Sequence, residues 1–270
     1  MNAFKRNLIG NDLVWAISNI TLLPVCQYLK KCRSSFVRNR ILAQFRHDMK
    51  VADGIFAGLR YPEFKPFGST LLPKLLGTYE NEIRPAMNKI LSRQYPVVLN
   101  IGCAEGYYAV GLALKFAKSE VFAYDTSEKA RSLCRQMAEA NNVADRIRIE
   151  GECRPETLAD FDFSAGGLII CDCEGGERHI FNSDNVKNLK NCDLLIELHD
   201  FADRSITGHI AGIFADSHKM TFFHSIDDYQ KAVQYKSPFL QDKDLSVRKY
   251  IFAEDRVEIM NWVFLESSRQ

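Results

Sequence analysis

The run Val97-Val98-Leu99-Asn100-Ile101-Gly102-Cys103-Ala104-Glu105-Gly106-Tyr107-Tyr108-Ala109-Val110-Gly111-Leu112-Ala113-Leu114 decides the fold. Val97 to Ile101 is apolar and β-branched enough for a strand buried on both faces. Gly102 to Gly106 then reads as a tight turn, and Tyr108 to Leu114 repeats apolar residues at helical spacing. Strand, glycine turn and helix together present backbone N–H groups to a nucleotide-like ligand at a helix N-terminus. A dinucleotide fingerprint needs three glycines in G-x-G-x-x-G spacing, and here Ala104 stands between Gly102 and Gly106. That spacing disfavours a nucleotide-linked dehydrogenase.

Working outward, the α/β rhythm continues. Glu120 to Tyr124 is a second strand ending in Asp125, Ser127 to Asn141 a helix, and Arg146 to Glu150 a third strand before Gly151-Glu152-Cys153. Gly167 to Cys171 is a fourth strand, followed by Asp172-Cys173-Glu174-Gly175-Gly176-Glu177. Leu194 to Leu198 is a fifth, ending in His199-Asp200. Met220 to Ile226 and Asn261 to Glu266 suit a closing pair of strands. Strands alternating with helices imply a Rossmann-like, doubly wound, mostly parallel seven-stranded sheet with an N-terminal helical extension. The expected division is an extension over 1–92 and a main domain over 93–270, with a lid insertion at about 227–260.

Upstream, Leu13 to Leu29 is the most hydrophobic stretch, flanked by Lys5-Arg6 and Lys30-Lys31. Ser18, Asn19, Thr21, Pro24 and Gln27 interrupt it, so an amphipathic helix packing on the body or on another subunit is expected rather than a membrane anchor. Peripheral membrane contact by residues 13–29 and a homo-oligomer remain alternatives. Ser34 to Met49 reads as a helix with a solvated basic face, Gly54 to Gly77 as an irregular connection, and Thr78 to about Leu91 as another helix with Glu80 and Glu82 in its first turn.

The 270 residues carry 35 Lys+Arg against 34 Asp+Glu, a formal charge of +1, which argues against a broad polyanion-binding surface. A nucleic-acid enzyme would have to rely on the local basic segment Arg33–Arg46. Eight cysteines are present. Cys103, Cys171 and Cys173 fall at strand ends, Cys134 lies in a helical pattern, and Cys171-x-Cys173 has no second pair at zinc spacing. Free thiols in a reducing cytoplasm are the simpler reading.

In a parallel sheet, ligands sit at the carboxyl ends of the strands. Asp125, about 20 residues beyond the turn, suits both hydroxyls of a ribose, and Glu152 with the Cys153 amide suits an adenine edge. The fourth and fifth strand ends carry Asp172, Glu174, Glu197, His199 and Asp200. Two uses follow. His199 serves as a general base helped by Glu174 or Glu197, or Asp172, Glu197 and His199 ligate a divalent cation.

Asn100-Ile101-Gly102-Cys103-Ala104-Glu105-Gly106 resembles the first motif of class I S-adenosylmethionine-dependent methyltransferases, with Asn100 and Ala104 replacing an acidic residue and a glycine. Asp172-x-Glu174-Gly175-x-Glu177 after an apolar strand, with Gly102-x-x-x-Gly106-Tyr107-Tyr108 before it, resembles the FkbM-type branch. The likeness covers roughly Tyr79 to Leu198 and implies O-methylation of a natural product or sugar. It places Gly102, Ala104, Gly106, Asp125 and Asp172 around S-adenosyl-L-methionine. With the strand-end reading, the candidate cofactor contacts are Asn100, Gly102, Cys103, Ala104, Gly106, Tyr107, Asp125, Thr126, Glu152, Cys153 and Asp172. No Asn/Asp-Pro-Pro-aromatic motif follows the fourth strand, which favours an oxygen nucleophile on a small-molecule or carbohydrate acceptor. The other readings are a non-catalytic cofactor-binding scaffold and a nucleic-acid methyltransferase.

Overall fold

The computed structural model describes residues 12–63, 66–237, 240, 242–256 and 258–268. Seven strands form one sheet: β1 (Val97–Ile101), β2 (Glu120–Tyr124), β3 (Ile147–Glu150), β4 (Gly167–Cys171), β5 (Cys192–Leu198), β6 (His218–His224) and β7 (Asn261–Ser267). Their order is β3-β2-β1-β4-β5-β7-β6. The first five run parallel, and β7 is antiparallel to both β5 and β6. The fold is Rossmann-like and doubly wound.

Alternation in the central strands explains why both faces are covered. Val98, Leu168, Ile170 and Leu195 face one core, while Leu99, Ile101, Ile169, Cys171, Leu194 and Ile196 face the other. The first face receives α4 (Tyr107–Lys115) and α5 (Glu128–Ala140) through Val110, Leu112, Cys134 and Met137. The second receives α6 (Pro155–Asp160), α7 (Glu177–Ile180) and α8 (Ile206–Phe214) through Leu158, Ile180, Ile206 and Phe214. Ser127 caps α5, its hydroxyl accepting the Ala130 amide.

The N-terminal segment contributes to the first core. Between Gly54 and Gly77, the stretch expected to be irregular contains α2 (Leu71–Leu76), and its Leu72, Leu75 and Leu76 are buried there. The helix expected from Thr78 starts later, as α3 (Arg84–Leu91), behind a 3₁₀ turn at Asn81–Ile83. Pro85 sits in its first turn, where its missing N–H costs nothing. Glu80 is not at a helix start. It has a left-handed φ of 48° and points inward.

The apolar stretch and the basic segment form a single helix, α1 (Asp12–Leu42), with Pro24 inside it. Of the two arrangements expected for residues 13–29, on the body or on another subunit, packing on the body is not what the structure has over residues 20–29. Every residue from Ile20 to Leu29 is exposed, including Leu22, Leu23, Tyr28 and Leu29. The far end docks, where Arg38 donates to Asp255 Oδ2 at 2.6 Å and to Tyr250 O at 2.8 Å. None of the described helices is long and apolar enough to cross a membrane. In the segment expected as a lid, α9 (Asp228–Gln234) and α10 (Leu245–Phe252) pack on each other, and α10 packs on α1 and α2.

Candidate functional site

The chain order reverses between β1 and β4, and a cleft of about 530 Å³ opens at the carboxyl ends of the strands there. Aligned registers bring those ends level: Ile101 lies beside Tyr124 and Cys171, and Cys171 beside Ile196. The glycine turn forms one wall. Gly102 has φ +78°, and an added Cβ would lie 1.6 Å from Asp172 O, so only glycine lets β1 end against β4. Ala104 also takes a positive φ of 48°. Asp125 holds it there, Oδ2 accepting the Ala104 amide at 2.9 Å and Oδ1 the Ser127 amide at 2.8 Å.

The opposite wall is acidic. His199 has a side chain only 2% exposed, and its Nδ1 lies 2.6 Å from Glu177 Oε1. Its Nε2 faces Asp172 Oδ1 at 3.4 Å, Glu174 Oε2 at 3.7 Å and Glu197 Oε2 at 3.7 Å. Burial alone would lower the imidazole pKa, but Glu177, Glu197 and Glu174 outweigh it and raise it. Asp172 is pushed up to about 7 by burial and by the nearby charges of Glu80 and Glu174. Glu197 is likewise raised, by burial first and then by Asp172 and Glu80.

Two of these acids and Glu254 converge on one cation. Arg256 donates to Glu197 Oε1 at 2.5 Å, Glu80 Oε1 at 2.8 Å and Glu254 Oε2 at 2.9 Å. Tyr108 adds a hydroxyl to Glu80, and Lys231 pairs with Glu254 at 2.6 Å. A second buried network braces the turn from the N-terminal side. Lys74 Nζ lies 2.5 Å from Glu105 Oε1, the Tyr61 hydroxyl donates to the same oxygen at 3.2 Å, and the Lys74 ammonium sits over the rings of Tyr79 and Tyr107.

Of the residues named from sequence, Gly102, Cys103, Ala104, Tyr107, Asp125, Thr126, Glu152, Cys153, Asp172, Glu174, Glu197 and His199 all line the cleft. Asn100 and Gly106 do not. Asn100 is 1% exposed and donates to Ile170 O at 3.4 Å, bracing β1 against β4. Gly106 starts α4 with φ +96°, and an added Cβ would sit 2.9 Å from Cys134 Sγ, so its role is helix packing. Asp200 faces away and caps α8, taking the Thr207 amide at 3.0 Å. Glu152 reaches Arg154 Nε at 2.9 Å. All eight cysteines are free. Burial pushes the Cys153 thiol up to about 12 and Cys171 well above its usual value, so neither is a ready nucleophile.

Sequence reasoning missed Lys74, Tyr79, Glu254 and Arg256, which also line the cleft, and Glu80, Glu105 and the role of Glu177. Lys74 left a signal: it is the single charge in Leu71-Leu72-Pro73-Lys74-Leu75-Leu76, and a lone charge in an apolar run needs a buried partner.

No known family profile matches the chain. A probable cobalt-precorrin-6B C(15)-methyltransferase (decarboxylating) of Pyrobaculum calidifontis is 36% identical over 76 residues, 28% of this chain and 39% of that protein. The match thus spans well under half of that relative. Among solved structures, a precorrin-6y C5,15-methyltransferase of Geobacter metallireducens aligns over 68% of this chain and 88% of its own, at 12% identity and a TM-score of 0.46. A precorrin 8w decarboxylase of Methanobacterium thermoautotrophicum covers 68% and 89%, at 13% identity and 0.47. An O-methyltransferase family protein of Burkholderia thailandensis covers 69% and 57%, at 12% identity and 0.39.

Proposed function

We propose that the chain is an S-adenosyl-L-methionine-dependent methyltransferase of the FkbM-type branch, acting on a hydroxyl of a small-molecule or carbohydrate acceptor. One observation carries this reading. The Asp125 carboxylate and His199 Nε2 belong to opposite walls of the same cleft, at the strand ends where the topology reverses. The residues fit the cofactor: Gly102 to Ala104 give a turn without bulky side chains, Asp125 suits a ribose, and Glu152 with Cys153 suits an adenine. When bound, S-adenosyl-L-methionine would supply an electrophilic methyl group.

The protein's own task is then to align a hydroxyl and accept its proton. Glu177 fixes the imidazole so that, in the neutral form, Nδ1 donates to the carboxylate and the lone pair on Nε2 faces the cleft. The surrounding acids favour the protonated ring, so His199 serves as a base on the alkaline side of the ordinary imidazole range. Arg256 keeps Glu197 and Glu80 paired, and Tyr79, Tyr107 and Phe201 add aromatic surface to the cleft lining.

The test is calorimetric titration with S-adenosylhomocysteine, followed by transfer of labelled methyl to a panel of hydroxylated acceptors. Micromolar binding and transfer that stops in His199→Ala support the reading. Binding without transfer to any acceptor would leave a cofactor-binding scaffold, and no binding would overturn both.

A further inference from the structure

We infer that the carboxyl ends of β4 and β5 form a divalent transition-metal site, with His199 Nε2, Asp172 Oδ1 and Glu174 Oε2 as donors. The three atoms lie within 4.8 Å of one another. Nε2 is 3.4 Å from Asp172 Oδ1 and 3.7 Å from Glu174 Oε2. Two donors about 2.1–2.2 Å from one ion, separated by an angle of about 105–120°, stand roughly 3.4–3.7 Å apart. The two separations from His199 Nε2 match.

Two observations point to the same place. His199 is almost wholly enclosed, and among the described residues its side chain makes its hydrogen bond through Nδ1, to Glu177. A carboxylate behind one ring nitrogen is the arrangement that orients a metal-binding histidine, fixing the lone pair on the other. Asp172 Oδ1, in turn, is a buried oxygen without a hydrogen-bond partner, a state that costs free energy unless something else is bound there.

Charge separates this donor set from the trio Asp172, Glu197 and His199 named from sequence. Glu197 is taken by Arg256 at 2.5 Å. Asp172 and Glu174 have no Lys or Arg within ion-pair distance among the described residues, and His199 is their partner. One imidazole with two carboxylates suits manganese, iron or zinc better than magnesium or calcium, which favour oxygen alone.

Three protein donors leave coordination positions open to a ligand. An acceptor with two neighbouring oxygens fits them, and the ion would make its hydroxyl acidic without a protein base. The inference deepens the methyl-transfer reading by adding a metal-bound state, in which His199 is a ligand, to the metal-free state in which it is the base, but metal binding itself does not depend on that reading.

The experiment uses the full chain after dialysis against a chelator. Mn²⁺ is titrated by calorimetry and by loss of the free-ion electron paramagnetic resonance signal, with S-adenosylhomocysteine titrated in parallel. One ion per chain is expected. Glu174→Gln, at an exposed side chain that folding does not need, is expected to weaken it by about tenfold or more, and His199→Ala to abolish it. Glu139→Gln, on an exposed carboxylate of α5 outside the cleft, is expected to leave Mn²⁺ binding unchanged. Absence of Mn²⁺ binding, or binding untouched by Glu174→Gln and His199→Ala, overturns the metal site, even if S-adenosylhomocysteine binds. Mn²⁺ binding without S-adenosylhomocysteine binding supports the metal site and counts against the cofactor.

Discussion

The amide of Ala104 donates to Asp125 Oδ2 across 2.9 Å, so the residue that follows β2 fixes the left-handed corner after β1. In Asp125→Ala the turn loses this hydrogen bond and the one to Ser127, about 1–2 kcal/mol in all. We expect S-adenosylhomocysteine affinity to fall at least about tenfold and the melting temperature by a few degrees. Calorimetry and thermal melts check both. Unchanged affinity with a lower melting temperature would restrict Asp125 to a structural role.

Gly102→Ala forces a side chain into Asp172 O at a φ of +78°. A loss of about 3 kcal/mol or more is expected in urea denaturation. Gly151→Ala is the matched control, because a Cβ there meets nothing within 4 Å, and it should stay within about 0.5 kcal/mol of the parent. Equal effects would mean that the approach of β1 to β4 is softer than the geometry implies.

Lys74 and Glu105 are both almost fully enclosed. Lys74→Met leaves the Glu105 carboxylate without its cation and should cost about 3–5 kcal/mol. Adding Glu105→Leu removes the stranded charge, so the double variant should be more stable than Lys74→Met alone. Urea midpoints of the three variants give the coupling directly. Additive losses would refute it.

Much of the fold was legible because β1, β4 and β5 are buried on both faces and read as continuous apolar runs ended by polar residues. Asp125, Glu152, Asp172 and His199 followed from the rule that strand ends face the ligand. The rest depended on distant pairing. Glu80 meets Arg256 and Lys74 meets Glu105 across sequence separations of 176 and 31 residues, and no local pattern encodes such partners. Glu80 read as a helix-start acid because its neighbours favour one. Burial against Arg256 overrode that preference. Asn100 and Gly106 belonged to the motif by spacing, yet one braces the sheet and the other packs a helix.

Asp193 supplies a pH signature away from the cleft. Burial would raise its pKa, but the Tyr95 hydroxyl at 2.6 Å, the Ser267 amide at 2.9 Å and Arg93 at 2.6 Å together hold the carboxyl below its ordinary value. A group whose folded pKa is depressed adds stability above its unfolded value and loses it as pH falls through the folded one. Urea midpoints measured from about pH 6 down to about pH 3 should therefore fall more steeply in the parent than in Asp193→Asn. Parallel curves would remove Asp193 from the acid response.

The bond between Arg256 and Glu80 also imposes a schedule. Glu80 leaves the ribosome 176 residues ahead of its guanidinium, which at about 5–20 residues per second is roughly ten to thirty seconds. The glycine turn, Asp125 and His199 have all emerged by then. A nascent chain can therefore assemble the nucleoside side of its cleft early, while Glu80 and Glu197 wait for their common partner. Completion of the acidic wall is tied to the arrival of Arg256, so a chain cut short before it carries the turn and the carboxylates of the wall without the guanidinium that joins Glu80 to Glu197.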